Sequence, residues 1–212
     1  MVAVNRIRRV ARNVGLVLAC SGILSTVRAG QATPVAVIKG WVGQNRGAGT
    51  DHAGSVVWVD DIPGQFPAPK AHAILDQKNM RFVPHILTIL VGTTVDFPNS
   101  DPVFHNVFSI SPFKRFNLGL YSTGHVPAIM FDKPGIVSIL CNVHPEMLAH
   151  IVVLKNPFFA VPGPDGSFII RNVPSGSRTV RYWSEDGRTQ ERRVTLAAGS
   201  VQMVDFRTEH DR

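Results

Sequence analysis

The chain has 212 residues, of which 17% are charged and 44% hydrophobic, with a formal net charge of +7. Five of its 22 Lys and Arg fall in residues 1–29, where no Asp or Glu occurs, so the remainder carries 17 basic against 15 acidic side chains. That near-neutral balance gives no support to the clustered basic face of a nucleic-acid-binding protein, and no apolar run is long and uninterrupted enough for a membrane span.

In chain order the first element is a targeting segment. Arg6, Arg8, Arg9 and Arg12 make a basic region, residues 14–27 are mostly apolar, and Val27-Arg28-Ala29 places small residues where a signal peptidase reads. The expectation is a cleaved signal over residues 1–29 and an exported, periplasmic protein. Cys20 after Leu18-Ala19 offers lipoprotein attachment as an alternative, and the residues around Arg8-Arg9 do not support a twin-arginine signal. Once the signal is removed, Cys141 is the single thiol left. It has no disulfide partner within the chain, and a free thiol in an oxidising compartment is a liability that metal ligation would remove.

Past residue 33, short runs rich in β-branched and aromatic residues alternate with Gly, Pro, Asn and Asp clusters, and no stretch holds a helical apolar period. Strands are predicted at 35–42, 55–59, 72–75, 81–91, 94–97, 107–110, 136–140, 150–154, 168–172, 179–183, 192–196 and 202–206. Many short strands at this spacing predict an all-β sandwich architecture. Proline-rich joints at 62–69 and 156–166 divide the chain into an N-terminal segment 33–64, a central segment 70–155 and a C-terminal segment 157–208. Arg178, Arg181, Arg188, Arg192 and Arg193 gather in the last segment, but Glu185, Asp186 and Glu191 are interleaved with them, the pattern of a solvated strand face.

The central segment carries the chemistry. Cys141-Asn142-Val143-His144-Pro145-Glu146-Met147 puts a thiolate, an imidazole and a thioether within seven residues, directly after the apolar run Ile136, Val137, Ile139 and Leu140. Calcium and magnesium want oxygen ligands, whereas two histidines, a cysteine and a weak axial methionine suit copper. The second histidine must come from elsewhere, and His105 in Pro102-Val103-Phe104-His105-Asn106-Val107-Phe108 is the candidate. Strand alternation puts Val137, Ile139 and Cys141 on one face, so the sulfur is expected to point into apolar packing.

The order Gly92-Thr93-Thr94-Val95-Asp96-Phe97, Asp101, His105-Asn106-Val107, Phe131-Asp132-Lys133-Pro134-Gly135, Cys141 to Met147 and then the 151–154 strand resembles that of cupredoxins, over about 85 residues of the plastocyanin–amicyanin type. The ligand loop is similar to that of amicyanin, with Val143 in place of a proline and Glu146 in place of an aromatic residue. The resemblance implies a Greek-key β-sandwich and one type 1 copper ion, with His105, Cys141 and His144 as equatorial ligands and Met147 as the axial one. It also implies that Asn106 ties the two ligand loops together, and that electrons enter through the edge of His144. The Val143 N–H, which a proline lacks, is expected to donate a hydrogen bond to the Cys141 sulfur.

Gly40-Trp41-Val42, the 55–59 strand and the run from Asp165 through Asn172-Val173-Pro174-Ser175-Gly176-Ser177 resemble the two halves of a carboxypeptidase-regulatory-like (transthyretin-like) sandwich, with the copper domain inserted between them. The alternative is that the N-terminal strands extend the cupredoxin sheet. The other histidines have structural readings: His52 and His210 as solvated, His72 and His85 in or beside strands, His150 at the opening of a strand, and His125 in a long connection that would fold over the metal. Glu146 competes with Met147 for the axial position.

The expected function is that of a periplasmic single-electron carrier rather than an enzyme. Its partner would be a redox protein, such as a cytochrome or a dehydrogenase, docking near His144. No Cys-x-x-Cys-His haem motif, His-x-His pair or second mature cysteine points to an enzyme or a dinuclear copper site. The alternative is a non-catalytic, copper-holding module of the cell envelope.

Overall fold

The structure is a computed structural model that describes residues 34–43 and 54–207, all within one compact unit. The signal segment, Cys20, His52 and His210 lie outside the described residues. Every regular element described is a strand, which bears out the all-β expectation, and no helix among the described residues is long and apolar enough to cross a membrane.

The chain opens with β1 (Val35–Gly43) and β2 (Ser55–Asp60), then three short strands, β3 (Ala73–Ile74), β4 (Asp76–Gln77) and β5 (Phe82–Val83). The central run continues through β6 (Ile86–Leu90), β7 (Thr93–Asp96), β8 (His105–Ser109), β9 (Phe116–Tyr121), β10 (Ala128–Phe131), β11 (Gly135–Leu140) and β12 (Leu148–Leu154). It closes with β13 (Phe159–Ala160), β14 (Ser167–Pro174), β15 (Gly176–Ser184), β16 (Thr189–Leu196), β17 (Val201–Met203) and β18 (Phe206–Arg207).

A five-stranded sheet in the order β6-β12-β11-β8-β9 and a three-stranded sheet β10-β7-β3 make the central sandwich. Between them lies one core that includes Leu75, Phe97, Phe131, Val137, Ile139, Cys141, Met147 and Ile151. The strands at the two ends of the chain pair with each other: β1 with β14 and β17, and β2 with β13 and β15. They enclose a second core around Ile38, Val57, Phe168, Tyr182 and Phe206.

The β12 strand is buried on both faces. Ala149, Ile151 and Val153 face the first core, while Val152 and Leu154 meet Val56 and Trp183 from β2 and β15 in a third cluster. A strand covered on both sides is mostly apolar, which is why this one, His150 apart, reads as a continuous rather than an alternating run. His150 shares the second face, with its ring 5.2 Å from that of Trp183, so it is packed rather than merely opening a strand.

Two sequence expectations change. The predicted strand 81–91 is broken, because Pro84 offers no N–H to a ladder; β5 pairs back on β4 and β6 joins β12. The connection 111–130 holds two strands, β9 and β10, which add to opposite sheets. Their outward residues are apolar enough (Leu120 and Met130 are both exposed) to blur the alternation that marks a half-buried strand.

Candidate metal centre

Neighbouring strands assemble the site. His105 is the first residue of β8, and Cys141 follows the last residue of β11; the two strands pair antiparallel through Leu140 and Phe108. The loop from Cys141 then turns tightly, the Met147 N–H donating to the His144 carbonyl at 2.9 Å, before β12 begins. The potential ligand atoms of His105, Cys141 and His144 all lie within 4.8 Å of one another. His105 and Cys141 are buried, and His144 is half-buried.

The two imidazoles face each other through their Nδ1 atoms, 3.1 Å apart, with ring centroids 4.8 Å apart. Both Nδ1 atoms therefore face the same point as the Cys141 sulfur, the arrangement that one shared ion would need. His105 Nε2 lies 2.8 Å from a carboxylate oxygen of Asp101, an acceptor only, so His105 is protonated there and its Nδ1 is bare.

Asp101 is itself 6% exposed. Its carboxylate accepts the backbone N–H groups of Asn79 at 2.6 Å and Met80 at 2.8 Å as well as the His105 imidazole. Burial works to raise its pKa, but the hydrogen bonds from Met80, His105 and Asn79 outweigh it and hold the group below the ordinary carboxylate range. Sequence reading placed Asp101 only in the order of the resemblance. Its spacing of four residues before His105 was the signal available for the contact.

Val137, Ile139 and Cys141 are all buried in the first core, as alternation along β11 requires. Met147 is 1% exposed in that same core, whereas Glu146 is exposed, so the loop turns the thioether inward and the carboxylate to solvent. His125 is also exposed and sits edge-on to Tyr121, with ring centroids 5.6 Å apart, outside the His-Cys-His group. His72 pairs with Asp96, and His85 bonds both the Leu148 carbonyl and Glu185.

Two expected hydrogen bonds take another form. The Asn106 amide donates to Asn117 Oδ1 at 2.8 Å and the Gly119 carbonyl at 3.0 Å, tying β8 to β9 across a register shift instead of joining the ligand loops. Its own carbonyl oxygen is buried without a partner. Among the described residues no N–H, that of Val143 included, donates to the Cys141 sulfur. The sulfur lies between the apolar core and the two imidazoles.

No family model matches the chain, and no curated protein matches it. Solved structures are similar over about two fifths of it. A copper-containing nitrite reductase (NirK) from Thermus scotoductus SA-01 is 28% identical over 41% of this chain and 23% of its own, with a TM-score of 0.39. This chain therefore spans less than a quarter of that enzyme. A purple cupredoxin from Nitrosopumilus maritimus is 29% identical over 39% of this chain and 99% of its own, with a TM-score of 0.35. A reduced amicyanin variant is 22% identical over 41% and 85%, with a TM-score of 0.37.

Proposed function

We propose that this protein holds one copper ion between His105, Cys141, His144 and Met147 and carries single electrons between redox proteins. The observation that supports this most directly is the convergence of two imidazoles and a thiol within 4.8 Å, two of the three residues buried. The donor set fits the group: nitrogen and thiolate sulfur, with a buried thioether in the same core, select copper over oxygen-seeking cations. When bound, the ion supplies a one-electron couple whose potential responds to the apolar and hydrogen-bonding surroundings of the sulfur.

The remaining roles belong to the chain. Asp101 fixes the plane and tautomer of His105 and presents Nδ1 with its lone pair free. The core around Cys141 keeps water from the sulfur. His144 closes the site from the solvent side, flanked by exposed Val143 and Pro145, where a cytochrome or dehydrogenase would dock. In this reading residues 70–155 are the copper domain. Residues 33–64 and 157–208 form the carboxypeptidase-regulatory-like sandwich that carries it, and the protein works in the periplasm after loss of residues 1–29.

The test is a visible and EPR spectrum of the chain with Cu(II), beside a Cys141→Ser control. An intense Cu–thiolate band with narrow hyperfine splitting, lost in the control, is the expected result. A pale spectrum that ignores the substitution would refute the reading.

A further inference from the structure

The hairpin of β4 and β5 stands beside the site without contributing a ligand. Its strands pair through Asp76 with Val83 and Gln77 with Phe82, and Lys78 and Arg81 exchange backbone hydrogen bonds of 2.9 and 3.2 Å across a two-residue tip. The tip residues, Asn79 and Met80, have φ of 56° and 53°. A tip with two successive left-handed residues ordinarily takes Asn-Gly, because a side chain with a Cβ is strained there. Met80 accepts that conformation although its side chain is 51% exposed and gains little burial.

The backbone explains it. Successive backbone N–H groups in a tight turn can face one side and form an anion-binding concavity. Here its occupant is internal: Asn79 donates to one oxygen of Asp101 and Met80 to the other, and the second oxygen also receives the His105 imidazole. The base of the hairpin is fixed as well. Gln77 is fully buried and bonds the Pro98 carbonyl and the Tyr121 hydroxyl, and Ser100 bonds both Gln77 and Asp76. The Asp101 backbone is held from the other side by Asn99 and Thr123.

We propose that the Asn79–Met80 tip is a positioning element for the metal ligand His105, acting through Asp101: it fixes the carboxylate, and the carboxylate fixes the imidazole in the tautomer that leaves Nδ1 free. The consequence for metal binding rests on the copper reading above; the consequence for the tautomer does not. Partners of this kind are worth 10- to 100-fold in metal affinity where they have been removed.

The experiment compares wild type with Met80→Pro, which removes one N–H and cannot reach a positive φ, and Met80→Gly, which keeps the N–H and suits the conformation. In the metal-free full chain, nitrogen NMR of His105 should show a protonated Nε2 in wild type and Met80→Gly and a mixture of tautomers in Met80→Pro. Chelator competition should show Cu(II) affinity lowered on the order of 10-fold in Met80→Pro alone. An unchanged tautomer in Met80→Pro overturns the proposal, as does an equal loss in both variants, which would implicate the methionine side chain instead. Should Met80→Pro fail to fold, Asp101→Ala tests the same link in reverse. The Asn79 and Met80 amides, slow to exchange in wild type, should exchange rapidly in that variant, and unchanged protection overturns the proposal. If wild type gives no Cu–thiolate band, the copper reading falls, and the tautomer and exchange results decide the positioning role.

Discussion

His150 is the most informative single position for stability. It is 7% exposed between the central sheet and β15, its Nδ1 is 3.3 Å from the Ser138 hydroxyl, and its Nε2 is buried with no partner. Burial lowers its pKa from 6.5, the neighbouring His85 lowers it further, and Glu185 pulls weakly the other way. A histidine depressed in the folded state binds its proton first in the unfolded chain. As pH falls below about 6.5 the unfolded state gains protons and the folded state does not, so stability is lost. The slope is at most about 1.4 kcal/mol per pH unit and flattens once pH passes below the folded-state pKa. His150→Leu fills the same space beside Val152, Leu154 and Trp183 and removes both the orphaned nitrogen and the titration. At pH 7.5 it should stabilise the metal-free protein by about 1 kcal/mol, the cost of an unsatisfied buried polar atom less the weak bond to Ser138. At pH 5.5 the advantage over wild type should be larger, by at most about 1.4 kcal/mol. Urea unfolding of both proteins at the two pH values measures this, because titrations shared by both cancel in the difference. A gap between wild type and variant that is the same at both pH values would refute the reasoning.

Other outcomes follow from the packing and the loop geometry. A Cβ on Gly40 would lie 1.7 Å from the Val204 carbonyl oxygen and 2.6 Å from the Phe168 ring. Gly40→Ala should therefore cost about 1–3 kcal/mol or more and lower Tm by several degrees in a thermal scan. Met147→Ala empties a site that is 1% exposed and should destabilise the metal-free protein by about 2–5 kcal/mol, whereas Glu146→Ala, at an exposed position, should stay within about 0.5 kcal/mol. Equal effects from the two substitutions in chemical denaturation would mean the loop is not turned as described. Arg178 donates to the carbonyls of Pro174, Ser175 and Ser177. Arg178→Ala should cost about 1–2 kcal/mol by releasing that turn, with amide exchange rising at residues 174–178 while the metal centre's spectrum is unchanged.

The face of β11 was legible because a strand has a side-chain period of two: once Ile136 to Leu140 is a strand, Val137, Ile139 and Cys141 must share a side, and all three are buried together. The loop that follows has no such period. There Met147 turns inward and Glu146 to solvent in a turn closed by the bond from the Met147 N–H to the His144 carbonyl, a geometry that strand alternation does not encode. The hairpin tip escaped notice for a related reason: Asn-Met is not a turn signature, and its conformation is stabilised by a carboxylate more than twenty residues away.

By itself, then, the sequence determined the all-β class, the side of β11 that carries the thiol, and the short list of nitrogen and sulfur donors, since each follows from local periodicity or residue chemistry. The rest was decided in three dimensions. The pairing of β8 with β11 brings His105 to the Cys141 loop, β2 and β15 cover the outer face of β12 and trap His150, and Asp101 reaches both the hairpin tip and the His105 ring. These contacts join residues remote along the chain, and their geometry depends on how sheets stack and strands register, which is a property of the packed whole rather than of any segment.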